Sequence, residues 1–286
     1  MNRLIFTLFI SLVVSGIINA TDTINDSFTF GDTTRKYTII IPDSLSPARP
    51  LVIHTHGYGS YTVERPDLTS AAIRSGFAIC YPIGTPDSRG KAGWNVGYPS
   101  QASMTVNEAD FMEAFKDELC RRYSLNPDNV FLSGMSNGGD LCYQLAYTRP
   151  SIFRAYGSVA GLTFTSVYLA NRLSSPTPFL GIHGTADKTS MWDGDPTNSG
   201  GWGAYIPVTL AVASLASNNK CTALKSEPLQ TLPGSNNTAT IHKYVGSPTD
   251  AEVILIEING GKHSWADKDI YTGEILINFF TKNLHF

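Results

Sequence analysis

Residues 130–138, VFLSGMSNG, decide the fold of this 286-residue chain. The first four form a short run typical of a buried strand, and residues 137–148 have the pattern of a helix. A serine between two glycines at such a junction matches the Gly-x-Ser-x-Gly turn, which exposes the serine oxygen above the sheet. Ser136 is therefore the candidate nucleophile. The backbone N–H of Asn137, at the start of the helix, is the expected first donor to an oxyanion.

Strand-like and helix-like segments alternate on both sides of this junction. The alternation predicts an α/β fold with a mostly parallel central sheet and helices on both faces. A Gly- and Pro-rich loop runs from Pro82 to about Ser103, and loops of that length are usually functional. The predicted strands cover residues 37–41, 51–55, 77–81, 130–133, 156–159, 179–183, 240–245 and 253–258, and the best-defined helices cover residues 108–119, 137–148 and 270–282.

A catalytic serine needs a histidine base and a carboxylate that orients the base, and on this type of fold the chain order is Ser, Asp or Glu, His. Asp187 ends the segment HGTAD, residues 183–187, directly after a predicted strand. His263 lies in GGKHSW, residues 260–265, after the next predicted strand but one. We therefore expect Asp187 to be the acid and His263 to be the base. The rivals lie in an irregular loop, in a strand and at the C-terminus: Asp193, Asp195, His242 and His285.

A second oxyanion donor is expected in the loop His56-Gly57-Tyr58-Gly59, which follows a predicted central strand. The glycines keep this backbone open, and the N–H of Tyr58 is the candidate donor. A metal site built on His54 and His56 is disfavoured, because alternate residues of a strand point to opposite faces. We expect neither a metal nor a cofactor.

The charge balance excludes two classes of partner. The chain carries 21 basic and 24 acidic residues, a net charge of −3, and has no long basic cluster. A nucleic-acid or anionic-membrane binder would need a concentrated positive surface. The expected partner is instead a polysaccharide-linked or small ester substrate, bound by a protein that we expect to be monomeric.

The first twenty residues have the layout of a signal peptide. Asn2 and Arg3 precede an apolar run that ends at Asn19-Ala20, and a polar stretch begins at Thr21. The run is shorter than a membrane-spanning helix. We expect residues 1–20 to be removed, leaving residues 21–286 as a single catalytic domain that is secreted or periplasmic, with no membrane attachment.

The four cysteines leave two interpretations open. An even number suits an oxidising compartment, and Cys120 and Cys142 fall on consecutive predicted helices, where they could form a bridge. Buried free thiols are an equal alternative, because cysteine packs as a small apolar residue.

Several separate motifs, taken together and in this order, resemble one known family. The family comprises polyhydroxybutyrate depolymerases and feruloyl and acetylxylan esterases of the secreted carbohydrate-esterase type, and the resemblance covers most of the chain after residue 20. It implies an α/β-hydrolase fold and a serine esterase with the triad Ser136, Asp187 and His263. Two departures are Ala266, where the family often has proline, and residues 97–99, which replace a cysteine-containing stretch. The matching segments are residues 50–59, 93–95, 126–130, 134–139, 183–187, 219–221 and 260–265.

The tryptophans, all in predicted loops, are candidates for an aromatic substrate pocket. Trp94 is the first choice because of the family match, followed by Trp265 and Trp202; ordinary loop packing is the alternative for each.

The expected reaction is hydrolysis of carboxylic esters on plant cell-wall polysaccharide through an acyl-enzyme, with a feruloyl esterase first and an acetylxylan esterase next. A polyhydroxyalkanoate depolymerase is the alternative within the class. A non-catalytic binding protein on a hydrolase scaffold is the alternative outside it, although the triad of such a protein would typically be broken.

Overall fold

The computed structural model describes residues 21–42, 48–60, 64–170 and 174–286, so the expected signal peptide lies outside the described residues. The described chain forms a ten-stranded sheet flanked by helices. The strands are β1 (Thr21–Phe30), β2 (Thr33–Pro42), β3 (Leu51–Thr55), β4 (Ala78–Pro82), β5 (Val130–Met135), β6 (Tyr156–Val159), β7 (Phe179–Gly184), β8 (Ala223–Leu229), β9 (Thr238–Val245) and β10 (Val253–Asn259). The helices are α1 (Pro66–Arg74), α2 (Glu108–Tyr123), α3 (Asn137–Thr148), α4 (Thr165–Ala170), α5 (Val208–Asn218) and α6 (Thr272–Lys282).

The centre of the sheet is parallel, as the sequence predicts. The strand order is β1-β2-β4-β3-β5-β6-β7-β10-β9-β8. Strands β4, β3, β5, β6, β7 and β10 pair in parallel, and an antiparallel pair extends each edge. Because the carboxyl ends of parallel strands meet at one edge of a sheet, the loops that follow β3, β5, β7 and β10 converge there.

Helices cover both faces of the sheet. Strand β3 is buried on both sides, with Leu51 and Ile53 in one apolar cluster and Val52 in the other. The first cluster takes its helical residues from α2, α3 and α5, and the second takes them from α1 and α6. This burial on both sides explains why the central strands have continuous apolar sequences.

The sequence pattern missed the two edge strands. Strand β1 is half-buried only at the alternate residues Ile24, Asp26 and Phe28, and the first six residues of β8 are exposed. Strand β1 buries only a few alternate side chains, and β8 is exposed along most of its length. Neither strand therefore has the apolar run that identified the central strands.

A buried ion pair orders the long loop after β4. The two terminal guanidinium nitrogens of Arg35, Nη1 and Nη2, each donate to Glu108 at 2.7 Å, and the same carboxylate accepts from the backbone N–H of Asn95 at 2.8 Å. The guanidinium also lies over the rings of Trp94 and Phe111, at 4.9 and 4.2 Å from their centres. Strand β2, helix α2 and the loop are thereby fixed relative to one another.

All four cysteines are free thiols, and three of them are buried. The bridge considered between Cys120 and Cys142 is therefore not formed, and the alternative of packed thiols describes the structure. In the part of the chain that the structure describes, no helix combines the length and apolar character needed to cross a bilayer.

Candidate active site

Ser136 occupies a strained turn between β5 and α3. Its backbone has φ 54° and ψ −122°, a conformation that a residue with a side chain rarely adopts. Two hydrogen bonds fix the turn, since Ser136 N–H donates to Val159 O and Asp140 N–H donates to Ser136 O, both at 2.8 Å. The surrounding structure thus holds the serine oxygen in place.

The two glycines of the motif are required by close packing. A Cβ at Gly134 would lie 2.2 Å from Gly138 O, and a Cβ at Gly138 would lie 2.1 Å from Thr55 O. A Cβ at Gly57 would lie 3.4 Å from Ser136 Cβ, so the loop after β3 comes directly against the serine. These approaches bring the ends of β3 and β5 and the start of α3 together.

The structure brings Ser136, His263 and Asp187 into one hydrogen-bonded chain. His263 Nε2 lies 2.9 Å from Ser136 Oγ, and His263 Nδ1 lies 2.7 Å from Asp187 Oδ2. A carboxylate can only accept, so the Nδ1–H donates to Asp187 and Nε2 is free to accept from the serine hydroxyl. The three residues come from loops after β5, β7 and β10, far apart in sequence.

The Asp187 carboxylate is buried and held by backbone groups. Its Oδ1 accepts from the N–H groups of Thr189 and Ser190 at 2.7 and 2.9 Å. A second histidine, His183, lies 3.6 Å from Oδ2, but its Nε2–H donates to Ser190 O at 2.7 Å. Burial lowers the pKa of His183, so this ring is neutral near pH 7 and does not compete with His263 for the carboxylate.

The two expected oxyanion donors lie on either side of Ser136. Asn137 follows the serine, and the loop that carries Tyr58 packs against it through Gly57. Within the described residues, neither backbone N–H donates a hydrogen bond to another group. Both backbone N–H groups are therefore available to donate to an oxyanion. The first is at the N-terminus of a helix, and the second is in an open loop with glycines.

The segments that carry these two donors are fixed by side-chain hydrogen bonds that the sequence motifs did not predict. The side-chain amide of Asn137 accepts from Trp94 N–H at 2.7 Å through Oδ1 and donates to Trp94 O at 3.1 Å through Nδ2. These bonds connect the long loop to α3. The Tyr58 hydroxyl donates to Asp87 Oδ2 at 2.5 Å. Trp94 and Asp87 reach these positions through contacts between distant segments. The length and glycine content of their loop were the only sequence signals of this role.

Trp94 and Trp265, two of the candidates for an aromatic substrate pocket, are buried, which corrects the expectation that their rings bind substrate. The Trp94 ring is fully buried and donates from Nε1 to His56 O at 2.9 Å. Trp265 is 3% exposed and donates from Nε1 to Asp67 Oδ2 at 2.9 Å. Each ring serves to position a loop of the site, and neither presents a face to solvent.

Trp202 is the half-exposed member of the predicted set. Its ring centre lies 5.8 Å from that of Tyr58 and 5.0 Å from that of Tyr98. The three rings form an aromatic cluster, named here the Trp202 cluster, beside one of the candidate oxyanion donors.

The two histidines at the end of β3 and directly after it serve in packing. His54 Nδ1 lies 2.9 Å from Ser133 Oγ, while His56 Nε2 accepts from Gly84 N–H at 2.9 Å and His56 Nδ1 donates to Gly57 O. Burial lowers the pKa of both rings, so both are neutral near pH 7. His56 thus shapes the loop that carries Tyr58.

A buried acid lies under the candidate nucleophile, in the first turn of α3. Asp140 accepts from the Tyr98 hydroxyl at 2.6 Å and from Leu162 N–H at 2.8 Å. Burial raises its pKa from 3.8 to about 7, against the opposite effect of these two hydrogen bonds.

This shift predicts a pH-dependent stability. Between pH about 4 and about 7 the unfolded chain has released the Asp140 proton and the folded chain has kept it, so the free energy of unfolding falls as pH rises. Asp140→Asn cannot titrate. We expect urea unfolding from pH 4 to 8 to show the variant gaining stability relative to the wild type across this window and levelling above it. A constant difference at every pH would contradict the prediction.

Comparison with known proteins gives the same fold and a family. Residues 36–175 match the family model described as Esterase PHB depolymerase. NocK of Nocardia uniformis subsp. tsuyamanensis is 27% identical over 237 residues, covering 78% of this chain and 67% of NocK. Feruloyl esterase D of Neurospora crassa is 24% identical over 247 residues, covering 82% of this chain and 76% of that protein. Two further curated relatives match over only 23% and 58% of their own lengths.

The solved structure of acetyl xylan esterase from Aspergillus awamori aligns with a TM-score of 0.59 over 92% of this chain and 99% of its own, at 17% identity. At that identity the likeness establishes the α/β-hydrolase fold. The family model, the relatives and the sequence motifs agree: the chain has the α/β-hydrolase fold and is similar, over residues 36–175, to the Esterase PHB depolymerase family.

Proposed function

We propose that this protein is a serine esterase that hydrolyses carboxylic esters on plant cell-wall polysaccharide, with ferulate as the preferred acyl group. The observation that carries the proposal is the unbroken hydrogen-bonded chain from Ser136 Oγ through His263 to Asp187. The coarser part, a carboxylic ester hydrolase, is supported by esterase relatives and structural neighbours. The predicted signal peptide at residues 1–20 supports action outside the cytoplasm.

The geometry supports a two-step acyl transfer. His263 Nε2 takes the hydroxyl proton as Ser136 Oγ attacks the ester carbonyl, and Asp187 stabilises the imidazolium that forms. The N–H groups of Asn137 and Tyr58 donate to the oxyanion of the tetrahedral intermediate. His263 then protonates the departing alcohol, and water attacks the acyl-enzyme by the same steps to release the acid.

The Trp202 cluster supports a phenolic acyl group. The cluster includes the side chain of Tyr58, so we expect an acyl group whose carbonyl is bound by the Tyr58 N–H to lie near the Trp202 ring. Aromatic pairs favour edge or offset contacts, which a feruloyl ring could make and an acetyl group could not. Trp202 is the remaining substrate-binding candidate, because Trp94 and Trp265 are buried.

A polyhydroxyalkanoate depolymerase is the second candidate, favoured by the description of the matched family. The same catalytic groups would serve that reaction with a different pocket. The third possibility, a non-catalytic binding protein, is disfavoured because all three triad side chains are present and in contact.

The test is to measure which acid the protein, starting at Thr21, releases from several esters. Methyl ferulate, feruloylated arabinoxylan, acetylated xylan and short 3-hydroxybutyrate oligomers would be compared side by side by chromatography. Ferulate release supports the proposal. Acetate alone would indicate a small acyl pocket, and hydroxybutyrate alone would favour the depolymerase. Release of no acid from any ester would contradict an esterase.

A further inference from the structure

Arg65 contacts a residue next to Ser136 and a residue close to His263 in sequence. It immediately precedes α1, and its Nη2 donates to Met135 Sδ at 2.9 Å. Its Cζ lies 5.0 Å from the ring centre of Trp265. Met135 directly precedes Ser136, and Trp265 is two residues beyond His263. The guanidinium therefore bridges the segments that carry the serine and the histidine.

This cation has no carboxylate partner within 4 Å among the described residues. The carboxylate of Asp67, two residues after Arg65, accepts from Trp265 Nε1–H and from Gly273 N–H. By contrast, the buried guanidinium of Arg35 is fully engaged by Glu108. Arg65 is thus a half-buried cation beside an active site with its charge uncompensated by a direct ion pair.

One N–H of Arg65 also lacks an acceptor. Its Nε is buried and finds no hydrogen-bond partner within the described part of the chain. The thioether of Met135 is a weak acceptor, so the hydrogen bond from Nη2 satisfies the guanidinium poorly. Buried donors are nearly always paired in folded proteins. The protein itself therefore satisfies the hydrogen-bonding capacity of this guanidinium poorly.

A groove of about 480 Å³ extends from the loop that carries His263. Its lining includes Lys262 and Lys268, neither of which forms an ion pair within the described residues, and the polar side chains of Asn237 and Ser264. Asp267 also lines the groove. Burial lowers the pKa of Arg65, and the negative charges of Asp67 and Asp267 oppose that effect. Asp267 thus acts on Arg65 and also lines the groove, whose charged lining residues are Lys262, Lys268, Asp267 and Asp269.

We propose that the esters hydrolysed at this site carry a free carboxylate, as an ester on a uronate-bearing saccharide does, and that Arg65 binds this carboxylate. The planar guanidinium suits two parallel hydrogen bonds to a carboxylate. The rest of the polar saccharide, which continues from this carboxylate, lies in the groove. The inference rests on the proposed esterase function and specifies its substrate class.

The test compares two esters that differ only in charge. Monomethyl and dimethyl esters of the four- to six-carbon straight-chain dicarboxylic acids share the scissile group, and the series varies the distance from it to the carboxylate. We expect the wild type to prefer a monoester in kcat/KM at one or more chain lengths. Arg65→Gln should lower the monoester-to-diester ratio by about tenfold or more, as loss of a charge-assisted hydrogen bond implies. Arg65→Lys should retain part of the ratio.

The controls separate binding from folding and from catalysis. Arg74→Gln removes an exposed arginine at the other end of α1, which pairs with Glu274, and should leave the ratio unchanged. If Arg65→Gln lowers both activities equally, or if the wild type shows no preference for any monoester, the proposal is overturned. If the wild type hydrolyses no ester of either kind and releases no acid from the four substrates above, the esterase assignment itself has failed.

Discussion

Ser136→Ala should lower kcat for any ester that the protein hydrolyses by at least about a thousandfold, with little change in the free energy of unfolding. The variant lacks the oxygen that attacks the carbonyl. It keeps the backbone hydrogen bonds of the turn to Val159 and Asp140, so α3 and the oxyanion donors should stay in place. Steady-state kinetics and thermal unfolding of the same preparation would measure the two quantities.

A second serine in this chain provides a matched control. Ser226 Oγ lies 2.8 Å from His242 Nδ1, and His242 Nε2 lies 3.1 Å from Glu257 Oε2. This exposed set has the same residue types as a triad, but it lies across the flat strands β8, β9 and β10. No strained turn presents its serine, and no helix N-terminus follows it. Ser226→Ala should therefore retain full activity.

The comparison also defines the contradicting results. A serine-directed phosphonate should label Ser136 and leave Ser226 unmodified, because Ser136 is the serine beside which we expect oxyanion donors. Retained hydrolysis by Ser136→Ala in a clean preparation, or labelling at Ser226, would refute the assignment. A loss of stability equal to the loss of activity would show that Ser136 supports the fold.

The sequence predicted the parallel centre of the sheet because its strands and helices have local sequence patterns. Strand β3 begins with three consecutive apolar residues, and α3 begins directly after the serine of the Gly-x-Ser-x-Gly motif. The proximity of Ser136, Asp187 and His263 followed from chain order and from the way parallel strands end at one edge. Their catalytic roles remain predictions.

What the sequence could not predict depends on contacts between distant segments. Trp94 was the first pocket candidate because of the family match, yet Arg35 and His56 contact its buried ring from two other segments. The pairing of Asp140 with Tyr98 joins α3 to that loop and has no local signature. Strand β1 is stable because it pairs along its whole length with β2, although its own sequence is polar.

Asp187→Asn is expected to reduce kcat by about a thousandfold to ten-thousandfold while the fold stays intact. The asparagine can still accept from the N–H groups of Thr189 and Ser190 through its carbonyl oxygen, so the loop keeps its anchors. Its NH₂ group would then face His263 Nδ1 and donate to it. The ring would carry its proton on Nε2, the nitrogen that must accept the Ser136 proton.

The matched control for this variant is Asp195→Asn. Asp195 was a rival acid in the sequence, and its carboxylate likewise accepts backbone N–H groups, from Ser199 and Gly200, but no histidine contacts it among the described residues. Kinetics of both variants with one ester, and near-ultraviolet circular dichroism to compare their folds, would distinguish the two carboxylates. Equal losses of activity would mean that loop anchoring, rather than orientation of His263, explains the effect. A loss confined to Asp187→Asn would mean that the tautomer of His263 limits the reaction.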